Sequence, residues 1–322
     1  VSGLNKSHFD WGPVDASDAE MGDTQVVDWV IEQLKRKHDK PLFLACGIFR
    51  PHLPWYVPQK YFDQFPVAKI QLPVHRDDDL EDIPAAGVKM AKPTGDHADV
   101  LKHKQWHAAV QGYLASISYT DGQIGRLLDA LDSSPHARNT VVVLWTDHGW
   151  HLGEKKHWRK FALWEEATRT PLIFFAPPGT PGIPEGTTAG TRVNKPVSLL
   201  DIYPTLVDLC GLPARQGLSG QSLVPLMADP TAAWERPALT THGRLNHTLR
   251  TERFRYIRYA DGSDELYDHE NDPQEYTNLA GRDTYADVIK ELSKWLPREN
   301  APDAPRQGEA KRKRSKNKAK KQ

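Results

Sequence analysis

The 322-residue sequence predicts an α/β core, with a parallel or mixed sheet flanked by helices, followed by a small C-terminal α+β subdomain. Three observations carry that prediction. Short continuous apolar runs at 42–47, 140–145 and 172–175 have the length and composition of buried strands. Stretches with helical spacing of apolar residues separate them. Near residue 230 the texture changes to short strand-like segments with Asp261-Gly262 as a turn signal, the mark of an antiparallel cluster. The expected boundaries are 1–229 for the core, 230–300 for the subdomain and 301–322 for a basic, disordered tail.

In chain order, Asp23 or Thr24 is placed to cap a helix whose apolar stripe is Val26, Val27, Val30, Ile31 and Leu34, and Lys40-Pro41 ends it. Residues 42–47 follow as a buried strand, and Pro51, Pro54 and Pro58 mark a loop. Residues 66–98 read as a long surface excursion in which Asp77-Asp78-Asp79 forms a solvated face. A helix is expected over 99–132, where Leu114, Ile117, Ile124, Leu127, Leu128 and Leu131 keep helical spacing. The strands at 140–145 and 172–175 come next, then a Pro/Gly-rich loop over 177–196. A helix over 198–210 is ended by Gly211 and Pro213. Short strands at 238–242, 247–251 and 254–259 and a helix near 284–296 complete the subdomain.

Composition narrows the function. Lysine plus arginine and aspartate plus glutamate balance at 42 each, but eight basic residues fall in the last twelve positions, from Lys311 to Lys321. Without them 34 basic side chains face 42 acidic ones, a body that repels a nucleic-acid backbone. No stretch approaches the roughly 18 apolar residues of a membrane span, so neither nucleic acid nor membrane is an expected partner. Cys46 and Cys210 are too few for a disulfide scaffold, and their apolar contexts suit small buried side chains. The sequence opens on Val1 without a signal sequence, which suggests processing or a longer parent protein.

Two segments can carry chemistry. Asp147 and His148 directly follow the strand at 140–145, and ligands of parallel α/β sheets gather at the carboxyl ends of strands. A carboxylate and an imidazole there can turn toward one cation, with Gly149 allowing a sharp bend; a capped turn is the alternative. His148, His151, Glu154 and His157 recur every three residues, but Gly149 and Gly153 argue against a helical metal face. Trp158, Arg159 and Lys160 then bring two cations and an aromatic ring near the same strand end, an arrangement suited to an anionic substrate. The second segment, Arg50-Pro51-His52-Leu53-Pro54, restrains a histidine between prolines. That histidine is either a general acid or anion donor, or a group satisfied by a carbonyl.

The runs at 42–54, Ala115-Ser116-Ile117-Ser118-Tyr119-Thr120-Asp121 and 145–154 together resemble type I sulfatases, in particular the iduronate-2-sulfatase-like branch. Further similarity lies in 170–174, 200–206, Glu265-Leu266-Tyr267-Asp268 and Asn271-Asp272-Pro273, so it spans most of 1–280 in order. The resemblance implies an alkaline-phosphatase-like fold, a sulfated-carbohydrate substrate, one divalent cation, usually calcium, and a periplasmic or extracellular location. It makes Asp147 and His148 metal ligands, His52 a donor to the sulfate or leaving-group oxygen, and Lys160 the group that binds the sulfate oxygens. Trp150 and Arg244 are candidates for the carbohydrate subsite. Type I sulfatases use a formylglycine made from the cysteine of Cys-x-Pro/Ala-x-Arg. Cys46-Gly47-Ile48-Phe49-Arg50 has Ile at the Pro/Ala position and precedes Pro51-His52, so it is not that motif, and Cys210 has no arginine four residues on. The nucleophile segment and its paired aspartates are expected upstream, in a longer chain, and 1–322 alone is expected to be inactive. A phosphatase or phosphodiesterase of the same superfamily and a non-catalytic sulfated-glycan-binding remnant are the competing readings.

Overall fold

The computed structural model describes residues 2–4, 8–180, 182–185 and 187–303. Strand β1 (Trp11–Val14) leads to helix α1 (Gly22–Leu34), and β2 (Trp55–Pro58) returns parallel to β1 with Trp11 opposite Trp55. The short α2 (Gln59–Phe62) and α3 (Ala85–Ala91) precede α4 (Asp96–Lys102) and the long α5 (Trp106–Asp132), which packs on α1, α2 and β2. Next come β3 (Val142–Trp145), then β4 (His151–Leu152) paired with β5 (Trp158–Arg159), α6 (Glu165–Thr168) and β6 (Leu172–Phe175). Helices α7 (Ile202–Leu209) and α8 (Val224–Ala228) lead to a four-stranded antiparallel sheet. Its strands are β7 (Ala238–Thr241), β8 (His247–Arg250), β9 (Phe254–Arg258) and β10 (Asp264–Asp268), paired in sequence order and covered by α9 (Ala286–Ser293). Among the described residues no helix is long and apolar enough to cross a membrane.

Several expectations change in the structure. Residues 42–47 are extended but pair with no strand among the described residues. Leu44 and Cys46 pack on Val30, Leu34 and Leu131, while the alternate Phe43 is 85% exposed. Strand β3 runs antiparallel to β6, Trp145 opposite Leu172, in a two-stranded ribbon. Both strands are apolar at every position, and neither face of the ribbon is fully covered: Trp145 is exposed on the face it shares with Leu172, and Ile173 and Phe175 are exposed on the other. The helix expected over 99–132 is broken at 103–105, where Lys104 takes a left-handed backbone, giving α4 and α5. Helix α1 begins two to three residues earlier than its expected caps, with Met21 as the cap residue, which frees Asp23 and Thr24 for tertiary contacts. Asp79 of the acidic triplet is buried against Lys155. A fourth strand, β10, follows the Asp261-Gly262 turn, and Cys210 is exposed at the end of α7. The tail from 304 onward lies outside the described residues.

What positions the site is a cluster of tryptophans. Phe9, Trp11, Trp55, Trp106, Trp150 and Trp158 meet in one buried core with Leu53 and Val110. Ring centroids stand 5.2 Å apart for Phe9–Trp11 and 5.6 Å for Trp11–Trp55, within the range of favourable aromatic pairs. Burying one such side chain stabilises by about 1.5–3 kcal/mol, so this cluster fixes the neighbouring β2, α5 and the β4–β5 hairpin firmly against each other. The loops that leave those elements carry His52, His148 and Lys160.

Candidate active site

The His52 loop is built from both sides. The Asp23 carboxylate on α1 accepts the backbone N–H groups of Phe49 (2.9 Å) and Arg50 (3.0 Å). On α5, Thr120 donates to the Arg50 carbonyl at 3.0 Å. The Trp55 indole donates to Pro51 O at 2.7 Å, and the Arg50 guanidinium to Tyr56 O at 3.2 Å. Asp23 and Thr120 hold the backbone of this loop, a role the sequence did not announce; the only signal for Thr120 was its place in the 115–121 run.

The Asp147-His148 turn is fixed from α6. The Gly149 N–H donates to Ala167 O at 2.9 Å, and a Cβ on Gly149 would stand 2.0 Å from the Glu166 carbonyl oxygen, so only glycine lets the backbones approach this closely. Lys160 follows the β4–β5 hairpin, and its ammonium lies 3.2 Å from His52 Nε2 and 2.9 Å from His148 Nε2. Asp147 Oδ2 lies 3.5 Å from the same His148 Nε2, its side chain 83% exposed.

The proton arrangement follows from the other ring nitrogens. His52 Nδ1 is 2.8 Å from Leu53 O, and His148 Nδ1 is 2.8 Å from Gly149 O. A carbonyl only accepts, so both Nδ1 atoms carry the proton and both Nε2 atoms present lone pairs to the Lys160 ammonium. Two imidazoles and one cation thus converge on a single point beside an open carboxylate.

The remaining predicted residues are placed differently. Trp150 is buried behind the two histidines, its ring 5.7 Å from that of His52 and 5.9 Å from that of His148. Arg244 stands exposed in the turn between β7 and β8, two residues after His242, whose ring lies 5.5 Å from that of Phe161. Of the threefold series, His148 joins the cluster, whereas His151, Glu154 and His157 turn into the core. Cys46 has its thiol pushed up by burial and by Asp23, the wrong direction for a nucleophile.

Asp147 Oδ2, an exposed carboxylate oxygen, and His148 Nε2, whose lone pair a cation could take in place of the Lys160 ammonium now 2.9 Å away, suit two positions around a divalent cation. Among the described residues no third His, Cys, Asp or Glu gathers with them. The one gathered trio, Glu165, His269 and Glu275, is taken up by the buried guanidinium of Arg255, which pairs with both carboxylates.

Beneath the site, burial pushes the Glu154 carboxyl up to about 7, although its Oε2 accepts the Leu152 N–H at 2.6 Å. The fold therefore favours the protonated form. As pH rises from about 4.5 to about 7 the unfolded chain ionises first, and the fold loses stability across that window. Glu154→Gln keeps the acceptor and removes the titration. Its melting temperature should exceed that of the wild type by roughly 3–6 °C above pH 7 and match it near pH 4.5. Thermal unfolding across pH checks this, and an offset independent of pH would count against it.

This geometry sits on a fold shared with solved structures. The structure of BT4656 in complex with its substrate D-glucosamine-2-N,6-O-disulfate aligns with a TM-score of 0.65 at 22% identity, covering 85% of this chain and 68% of that one. The phosphonate monoester hydrolase of Agrobacterium radiobacter aligns with a TM-score of 0.73 at 22% identity, covering 94% and 69%. The fold is the alkaline-phosphatase-like α/β class. The family model described as Sulfatase matches residues 3–212, and the one described as N-sulphoglucosamine sulphohydrolase, C-terminal, matches 153–301. The chain belongs to the sulfatase family. A curated sulfatase of Formosa agariphila is 42% identical over 300 residues, 92% of this chain and 57% of that protein. Iduronate 2-sulfatase of Homo sapiens is 31% identical over 238 residues, 62% of this chain and 42% of that protein. The chain spans about half the length of the curated relatives it matches.

Proposed function

We propose that this chain supplies the sulfate-binding half of an active site that hydrolyses sulfate esters of carbohydrates, in the manner of the iduronate-2-sulfatase-like branch. The observation that carries the reading is the convergence of the Lys160 ammonium on the Nε2 atoms of His52 and His148, at 3.2 and 2.9 Å. A sulfate placed there meets the ammonium as its charge spreads over the oxygens, and preorganised donors at such a point lower the barrier most. His52, once protonated at Nε2, donates to the leaving-group oxygen. Asp147 and His148 hold the divalent cation, read as calcium, which when bound polarises a sulfate oxygen. The nucleophile, a formylglycine in the expected mechanism, comes from outside the residues described here.

The carbohydrate class is supported by what surrounds the cluster. The Phe161 ring lies 5.6 Å from Lys160 Nζ and is 53% exposed, an apolar face in the open beside an anion-binding group. His242 abuts it, which brings the turn bearing Arg244 to the same side, and a guanidinium there suits a second sulfate or a sugar carboxylate. BT4656 has a doubly sulfated glucosamine as its substrate, and the human relative is an iduronate 2-sulfatase.

The test uses the full-length protein that contains this chain. Sulfate release from an aryl sulfate and from sulfated glucosamine and iduronate disaccharides should be abolished by a calcium chelator and restored by Ca2+, while an aryl phosphonate is turned over far more slowly. Preferred turnover of the phosphonate would replace the sulfatase with a phosphodiesterase. Binding of the disaccharides without hydrolysis would make the protein a glycan-binding remnant.

A further inference from the structure

His157 has both ring nitrogens against carbonyl oxygens: Nδ1 is 2.9 Å from Ala91 O, and Nε2 is 2.7 Å from Lys160 O. A neutral imidazole has one N–H and one lone pair, so it serves one of these acceptors and sets a lone pair against the other. An imidazolium donates to both. The residue is 5% exposed, so little solvent reaches it to relieve the mismatch.

The two carbonyls belong to elements that matter to the site. Ala91 ends α3, and Lys160 is the residue whose ammonium reaches His52 and His148. Lys160 lies between two residues in left-handed backbone, Arg159 at φ 74° and Phe161 at φ 70°. Such strain at non-glycine residues persists only where the surroundings enforce it. Arg159 is held by Asp96 of α4 at 2.7 Å and lies over the Phe9 ring. Phe161 is half-exposed and touches the His242 ring, so the Lys160 carbonyl is the hydrogen-bonded tie on that side of the loop.

We propose that His157, as an imidazolium, is the positioning residue that ties the Lys160 loop to α3 and sets the lysine against the two histidines. The proposal rests on the reading of Lys160 as the sulfate-binding group. The titratable and charged groups facing the ring are His151 of β4, with ring centroids 5.1 Å apart, Lys92 just past α3, and Asp96 of α4. Burial, foremost, holds the His157 pKa below the usual histidine range, against the pull of the two carbonyls and Asp96. The second proton therefore arrives below about pH 6.5. As pH falls through that region the clamp closes, and as pH rises the Ala91 contact turns repulsive and the loop loosens.

In the full-length protein, kcat for an aryl sulfate should show a one-proton limb that rises as pH falls below about 6.5. The amide of His157→Gln reaches one carbonyl only and does not titrate. The variant should lose that limb, with kcat about tenfold below wild type at the acid end, convergence above about pH 8 and KM within about twofold. A loss by the same factor at every pH would make His157 structural and overturn the proposal. Nitrogen-15 NMR of the histidine rings in the wild-type protein reads the clamp without turnover and without the variant. Protonation of both His157 nitrogens below its titration point is expected, and an Nδ1 that stays bare down to about pH 5 overturns the clamp. Should the wild type hydrolyse no sulfate ester while both nitrogens titrate as expected, the sulfatase reading fails and the tie between His157 and the loop stands.

Discussion

With Lys160 as the proposed sulfate-binding group, Lys160→Ala in the full-length protein should lower kcat for an aryl sulfate by about two to three orders of magnitude, the scale on which removing one preorganised charge stabiliser acts. The loss has two parts. The ammonium no longer meets the charge on the sulfate oxygens, and the two Nε2 lone pairs that it separates face each other without a donor between them. Lys160→Arg restores the charge but spreads it over a planar fork, which does not reproduce a point donor between two imidazoles, so recovery should be partial. Steady-state kinetics on the two variants decides the matter. Turnover unchanged by the alanine would remove Lys160 from the mechanism.

The second large effect is on stability. Arg255 is buried and pairs with Glu165 of α6 and with Glu275, and its Nη1 also donates to Leu163 O (3.2 Å) and Thr248 Oγ1 (3.0 Å). Burial alone would raise the Glu275 carboxyl, but Arg255 and then His269 hold it down at about 2. Arg255→Met leaves the buried Glu275 with His269 alone and Glu165 with Arg250 alone, at 3.1 Å, and should cost about 3–5 kcal/mol, a melting temperature lower by roughly 10 °C. The sign of the pH dependence is fixed by the depressed carboxyl. Its contribution is present above about pH 4.5 and is lost as pH falls toward 2, so the gap between wild type and variant should narrow over that window. A gap constant from neutral pH to pH 3 would mean that packing, rather than charge, explains the loss. The effect should also reach the site, because the Glu165 N–H donates to Glu275 Oε2 at 3.0 Å and α6 in turn holds Gly149.

What the sequence made legible follows from how local each determinant is. His52, Asp147, His148 and Lys160 lie in short runs where prolines and a glycine fix the backbone, and the structure places their side chains near one another. The buried partners did not announce themselves. Arg255 meets Glu165 across ninety positions and Lys155 meets Asp79 across seventy-six, so neither pairing leaves a periodic trace. Residues 42–47 and 140–145 read as buried strands because each is continuously apolar, but burial needs a partner on both faces, and among the described residues the ribbon of β3 and β6 exposes Trp145 on one face and Ile173 and Phe175 on the other. His157 belongs to a repeat of three that would make a metal face only on a helix, which Gly149 and Gly153 argue against, and in the structure its members point to different places.

The way the two site histidines choose their protonated nitrogen has a consequence for divergence. Each Nδ1 is committed by the main-chain carbonyl of the very next residue, Leu53 for His52 and Gly149 for His148. No side-chain exchange can remove a carbonyl, so the tautomers are inherited with the backbone rather than with any particular neighbour. Lineages carrying this loop pair can therefore exchange Phe161, His242 or Arg244 while the two Nε2 lone pairs stay turned toward Lys160.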